Sequence, residues 1–214
     1  MAGKFITIEG QDGAGKSTNL EVIKNCLENA GVSVIVTREP GGTKLGEALR
    51  GLLLADKDNL VGDMAELLIM FAARAQHLKE VIEPALARGE WVLCDRFTDA
   101  TYAYQGGGRE MSTSIIEALE RIVQGQRRPD LTLLLDLPVE ISTQRAGDRS
   151  APDRFEIQAQ RFKKRVRQMY LKLQREEPNR IRVIDASQSL TEVNQLVTSM
   201  IDRYVSNVRR GAND

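Results

Sequence analysis

The chain has 214 residues, 42% of them hydrophobic, with 30 basic and 30 acidic side chains. That size suits one α/β domain with a good core, and the neutral charge balance argues against a nucleic-acid polymer as the main partner. Two cysteines, Cys26 and Cys94, make neither a disulfide framework nor a metal site, and the lack of a long apolar run or a leader pattern gives the cytoplasm as the expected location.

Phe5-Ile6-Thr7-Ile8 is an apolar strand candidate. Gly10-Gln11-Asp12-Gly13-Ala14-Gly15-Lys16-Ser17 follows it and matches G-x-x-x-x-G-K-[ST], the phosphate-cradling P-loop. Leu20, Ile23, Leu27 and Ala30 then recur at helical spacing, and Gly31 is a natural stop. Val32 to Thr37 is a β-branched run and predicts a strand. Arg38-Glu39-Pro40-Gly41-Gly42-Thr43 reads as a loop, followed by helices over 44–55 and 64–88 that close at Gly89. Trp91 to Cys94 is a third strand, ending at Asp95. A helix over 112–124 is broken by Arg128-Pro129-Asp130. Leu131 to Leu135 is nearly all apolar, as a strand covered on both faces should be, and ends at Asp136. Val139 starts another helix, residues 146–154 form a polar loop, and a charged helix runs to about Arg175. Ile181 to Ile184 is the fifth strand, and the last helix spans 190–208.

Five short strands alternating with helices predict a three-layer α/β/α fold on a five-stranded parallel sheet, in one domain over residues 1–214. Ligands of such sheets bind beyond the carboxyl ends of the strands. Asp12, Arg38, Asp95, Arg96 and Asp136 all lie just past strand ends and are expected to converge there.

The P-loop gives the first chemistry. Its glycines let backbone N–H groups close on an anion, and the following helix adds its positive end. Lys16 is placed to reach the β/γ-phosphates of a nucleotide, with the Ser17 hydroxyl on Mg²⁺. The nucleotide site is taken as Gly10 to Ser17 with the adjoining Thr18. Asp95 at a strand tip beside a P-loop suits Mg²⁺, directly or through water, and the adjacent Arg96 suits a phosphate; a structural salt bridge or helix cap is the competing reading. Asp136 reads as a turn or cap. Arg145, Arg149 and Arg154 sit in the polar loop, where a closing arginine could stabilise the charge of a transferring phosphoryl group; a solvated charged surface is the competing reading. Arg161, Lys163, Lys164, Arg165 and Arg167 read as a solvated helix face.

Four segments together resemble the bacterial thymidylate kinases: Glu9 to Ser17; Thr37 to Thr43; Phe71-Ala72-Ala73-Arg74; and Asp95-Arg96-Phe97 running on to Thr101-Tyr102-Ala103-Tyr104-Gln105-Gly106-Gly107-Gly108-Arg109. Asp153-Arg154-Phe155-Glu156 adds a weaker match, and the similarity spans essentially the whole chain, with a lid at about 145–156. The resemblance implies phosphoryl transfer from ATP to dTMP, with Mg²⁺, by a homodimer. It also implies roles for individual residues. Phe71 would stack on the thymine, with Met70 the neighbouring alternative, and Arg74 would donate to its O4. Thr101 and Gln105 would bond the base or sugar, and Tyr104 would crowd the sugar 2′ position. Asp12 would face the sugar 3′-OH or the metal. Arg38, Arg50 and Arg96 would hold the dTMP phosphate, with Glu39 and Pro40 shaping that wall. Some relatives carry an arginine inside the P-loop where this chain has Gly13, so the resemblance passes the catalytic arginine to the lid, at Arg149. His77, the one histidine, is not needed as a base.

The rival classes are other P-loop proteins. A regulatory GTPase would carry a guanine-reading Asn-Lys-x-Asp, which the sequence lacks. A kinase of another small molecule would keep the fold and change the acceptor, and a non-catalytic nucleotide module would need no acceptor pocket.

Overall fold

A computed structural model describes residues 3–55, 61–141 and 160–211. Five strands carry the fold: β1 (Phe5–Gly10), β2 (Val34–Arg38), β3 (Trp91–Asp95), β4 (Leu131–Asp136) and β5 (Ile181–Asp185). They form one all-parallel sheet in the order β2-β3-β1-β4-β5. The chain starts in the middle and crosses outward to both sides. The change of direction falls at β1, where a parallel sheet opens its ligand crevice.

Helices cover both faces. On one, α1 (Lys16–Asn29) and the C-terminal α8 (Leu190–Arg210) pack together. Ile6, Ile8 and Leu133 of the sheet meet Ile23, Leu27, Val197 and Ile201 there. The other face is covered by α3 (Asp63–His77) and α7 (Gln160–Glu176), with Leu134 and Ile181 against Phe71, Phe162 and Tyr170. Further along it, Phe5, Val92 and Cys94 meet Leu78, Ile82 and Phe97. β4 is buried on both faces, as its nearly all-apolar run predicts. α2 (Lys44–Ala55) packs on α3, and α6 (Thr113–Gln124) packs on α3 from the far side.

The strands and most helices fall within a residue or two of the predicted bounds. The long helix predicted over 64–88 is instead three pieces. α3 ends at His77, a π-helical turn spans Leu78–Ile82, and α4 (Glu83–Ala87) follows with Pro84 in its first turn. Pro84 has no N–H to give back to the preceding turn, so the widened turn falls where the proline would interrupt a regular ladder. The stretch after β3 also turns out helical. α5 (Thr98–Thr101) runs into a π-helical turn over Tyr102–Gly108. Two of its three glycines serve close approach: a Cβ on Gly107 would lie 2.7 Å from Met169 Cβ, and one on Gly108 2.5 Å from the Phe162 ring. α7 therefore lies directly on the backbone of this turn. The predicted polar loop at 146–154, the lid segment, and most of the helix begun at Val139 lie outside the described residues.

Candidate functional site

β1 ends in the P-loop. Gly10 has a φ of 139°, and a Cβ there would sit 2.5 Å from the Leu135 carbonyl oxygen of β4. Only glycine lets the loop leave the sheet this close to its neighbour. Gly13 and Gly15 also have positive φ, and α1 begins at Lys16. Lys16 is buried and folds back along the loop, donating to the carbonyls of Gly10 and Gln11 at 3.1 Å each, with Asp12 Oδ1 3.7 Å away. Burial lowers its pKa, and Arg96 lowers it further, against the pull of Asp12 and Asp95.

β3 ends beside the P-loop and delivers Asp95 and Arg96. Arg96 takes a left-handed backbone, φ 69°, which is costly for a side chain with a Cβ. Two bonds hold it: Arg96 N–H donates to the Ile8 carbonyl at 3.0 Å, and the next amide, Phe97 N–H, donates to Glu9 Oε1 at 2.7 Å. The guanidinium then bonds Asp12 Oδ1 at 2.6 Å and lies 4.7 Å over the Tyr104 ring. Burial raises the cost of ionising Asp12, but Arg96 and Lys16 outweigh it and its pKa is lowered. Asp95 Oδ1 is buried and has no hydrogen-bond partner among the described residues.

One cavity of about 280 Å³ opens on these groups. Gly13, Gly15, Lys16 and Ser17 line its P-loop end; Gly10, Gln11 and Ala14 are buried around it, and Thr18 is exposed beyond it on α1. Arg38, Glu39, Pro40 and Arg50 form one wall. Asp12, Asp95, Arg96, Ala100, Tyr104, Gln105 and Met70 complete the lining. Arg38 also reaches Glu47 at 2.7 Å, and Arg50 donates to the Pro40 carbonyl at 3.1 Å, so the arginine wall is braced by α2. The predicted convergence of strand-end residues thus holds for Asp12, Arg38, Asp95 and Arg96. Asp136 goes elsewhere: Arg167 grips it with two bonds of 2.7 and 2.8 Å.

Three expected base contacts lie behind the wall instead. Phe71 is buried in the core, and Met70 takes the place in the lining. Met70 and Phe71 are neighbours, about 100° apart around α3, so the helix turns only one of them to the cavity. Arg74 is fully buried between the rings of Phe71 and Phe97, at 4.8 and 4.9 Å. It donates to Glu39 Oε2 at 2.7 Å, to Thr101 Oγ1 at 2.8 Å and to Gln124 Oε1 at 3.5 Å. Thr101 is wholly buried and serves as its acceptor. His77 bonds Glu39 Oε1 at 2.9 Å and Thr37 Oγ1 at 2.7 Å. Arg74 and His77 together therefore hold Glu39 in the wall. Arg149, with Arg145 and Arg154, lies outside the described residues.

Sequence reasoning missed the ties between α7 and the P-loop. Glu9, buried at the end of β1, accepts the Tyr170 hydroxyl at 2.7 Å on the oxygen that Phe97 leaves over. Burial, reinforced by Asp99, pushes its pKa up to about 8. Gln11 donates to the Lys163 carbonyl at 2.6 Å. Arg165, read as a solvated residue, donates to the carbonyls of Gly107 and Gly108. The signal for these ties was faint: a charged residue inside an otherwise apolar strand at Glu9, and three glycines in a row.

Comparison with known proteins agrees with this geometry. The family model described as Thymidylate kinase matches residues 8–197. The chain belongs to the thymidylate kinase family. It is 57% identical over 211 residues to the thymidylate kinase of Pseudomonas syringae pv. tomato, covering 99% of this chain and all of that one. The thymidylate kinase of Alcanivorax borkumensis is 52% identical over 94% of this chain and 97% of its own. Among solved structures, the crystal structure of thymidylate kinase from Ehrlichia chaffeensis superposes with a TM-score of 0.76 at 32% identity, covering 94% of this chain and 99% of that one. The thymidylate kinase fold is thus the one read here, with the P-loop and the arginine wall both inside the matched residues.

Proposed function

We propose that the chain transfers the γ-phosphoryl group of ATP to dTMP, giving dTDP and ADP. The observation that carries this is the single cavity joining a P-loop to a second set of phosphate-binding cations, Arg38, Arg50 and Arg96, and to an apolar and amide wall at Met70 and Gln105. A nucleotide-binding module needs only the first of these; a kinase acting on a nucleotide acceptor needs all three.

The chemistry follows from the groups in place. The P-loop amides and Lys16 hold the ATP phosphates. A dTMP phosphate oxygen forms the new bond to the γ-phosphorus as the bond to the β-phosphate oxygen breaks, and ADP departs. That oxygen is already anionic, so no strong general base is required, and catalysis is positioning and charge stabilisation. Arg38, Arg50 and Arg96 hold the dTMP phosphate. Asp12 is kept ionised by Arg96 and Lys16, which suits it to the sugar 3′-OH. Tyr104 packs the sugar side. The residues present fit a Mg²⁺ ion: the unpartnered Asp95 oxygen and the Ser17 hydroxyl share the cavity, and Mg²⁺ in such sites takes one or two protein groups with phosphate oxygens and water. When bound, it would offset charge on the β- and γ-phosphates. With Gly13 in the P-loop, the lid residue Arg149 supplies the arginine on the transferring group.

An ADP-release assay run across the nucleoside monophosphates tests this reading. It requires dTMP to be the preferred acceptor; equal turnover with a purine monophosphate, or none with dTMP, defeats it. We also propose a homodimer. α2, α3 and α6 pack side by side and leave Leu45, Leu52, Met64, Leu68, Ile115 and Ile122 exposed, an apolar surface that a second copy would cover. A monomer mass by sedimentation at micromolar concentration rules the dimer out.

A further inference from the structure

Gln105 stands in the cavity wall and is almost wholly buried. Its Nε2 donates to Glu66 Oε1 at 2.9 Å, while its Oε1 has no hydrogen-bond partner among the described residues. Chemistry decides which end faces which way. A carboxylate only accepts, so Glu66 takes the amide NH₂ and turns the carbonyl oxygen away from itself. Glu66 is itself fully buried on the first turn of α3. Arg109, which closes the π-helical turn, grips it with two bonds: Nε to Oε1 and Nη2 to Oε2, both 2.9 Å. The Arg109 guanidinium also lies 3.0 Å from Asp63. This fork keeps both Glu66 oxygens as acceptors. Neither Glu66 nor Arg109 lines the cavity.

We infer that Glu66, clamped by Arg109, is a positioning residue for base selection: it orients the Gln105 amide so that the cavity offers an acceptor, and so selects a pyrimidine that carries a hydrogen on N3. The inference rests on the dTMP reading above. Thymine has that N3–H and satisfies the buried Gln105 oxygen. Cytosine presents a lone pair at the same ring position, so two acceptors face each other and the buried oxygen stays unpaired. Sites built around a buried polar partner reject the analogue that lacks it far more strongly than an apolar pocket rejects a changed methyl. Uracil also has N3–H, so the device does not separate thymine from uracil. That distinction falls to contacts with the 5-methyl, for which Met70 offers a soft apolar surface.

A purely structural role for the Glu66–Arg109 pair, tying α3 to the π-helical turn, predicts something different. Weakening it would lower activity on every substrate alike. Glu66→Gln separates the two, because a glutamine at 66 can meet Gln105 with either end of its amide and no longer dictates the orientation. kcat/KM is measured for dTMP and dCMP on one enzyme preparation, so the active fraction cancels in their ratio. The dTMP-to-dCMP ratio is expected to fall at least tenfold, with KM for dTMP rising more than kcat falls. A ratio within twofold of the unaltered enzyme overturns the inference even if both activities drop. If the unaltered enzyme does not use dTMP, the functional reading fails instead, which is a distinct result.

A second measurement needs no variant of Glu66 to fold. In ¹⁵N-glutamine-labelled protein, the Gln105 side-chain amide is identified by its loss in Gln105→Leu. Its protons are expected to exchange slowly both without and with dTMP, since the Nε2 is buried and bonded to Glu66. Fast exchange that becomes slow only when dTMP is added would place the NH₂ on the base and overturn the orientation.

Discussion

Replacing Arg74 by methionine distinguishes a wall-supporting arginine from a base-reading one. Methionine keeps an unbranched stem of similar bulk between Phe71 and Phe97, so the packing loss is small. What it removes is the charge that faces Glu39, whose side chain is only 4% exposed. Removing one partner of a buried ion pair costs about 3–5 kcal/mol, because the remaining charge stays buried and unpaired. For a domain of this size each kcal/mol is worth about 2–4 °C, so the melting temperature should fall by roughly 6–20 °C. Adding Glu39→Gln to that background removes the orphaned charge and should recover much of the loss, giving a coupling of about 2–3 kcal/mol in the double-mutant cycle. Urea unfolding followed by the fluorescence of Trp91, the one tryptophan and a buried one, provides the readout. Since Glu39 lines the cavity, KM for dTMP should also rise. A stability loss below about 1 kcal/mol, accompanied by a large rise in KM for dTMP alone, would mean that Arg74 reads the base directly and that the wall stands without it.

Two other perturbations test separate parts of the site. Arg149→Ala should lower kcat by a factor on the order of 10² or more while leaving KM for dTMP nearly unchanged, because the interaction is made on the transferring group; turnover close to normal would remove the lid arginine from the mechanism. Glu9 has its folded pKa raised by burial and by Asp99, to about 8. The folded state therefore holds this proton more tightly than the unfolded chain does. Its contribution to stability is full below the ordinary carboxylate range and is lost as pH climbs towards 8, by at most about 1.4 kcal/mol per pH unit. Glu9→Gln should flatten that part of the stability profile in urea titrations at successive pH values. An unchanged slope would show that another group carries it.

The parts of this fold legible from sequence are those in which local pattern and tertiary context agree. The mostly apolar runs of β1, β3 and β4 became strands covered on both faces, and most of the residues after strand ends became the cavity because parallel strands all finish on one side. The P-loop was legible for the same reason: its glycines answer a backbone need that Gly10 shows directly, in its closeness to Leu135. Two other features were not, and both depend on helix geometry that spacing alone does not fix. Whether Phe71 or Met70 meets the cavity is a matter of about one-quarter of a helical turn, decided by how α3 sits on the sheet. The Tyr102–Gly108 turn has no helical pattern to read, because glycines weaken helices, yet here their missing side chains let α7 come within contact of the backbone.

The same geometry assigns that turn its role. Gly107 and Gly108 seat α7, Tyr104 and Gln105 face the cavity, and Arg109 clamps Glu66. α7 in turn reaches the P-loop through Gln11 and Glu9. Acceptor wall, P-loop and the helix that follows the lid segment are therefore joined through hydrogen bonds to one short turn. A change that shifts the turn must disturb donor and acceptor sites together, whereas a change at Met70 or Arg50 can touch the acceptor alone.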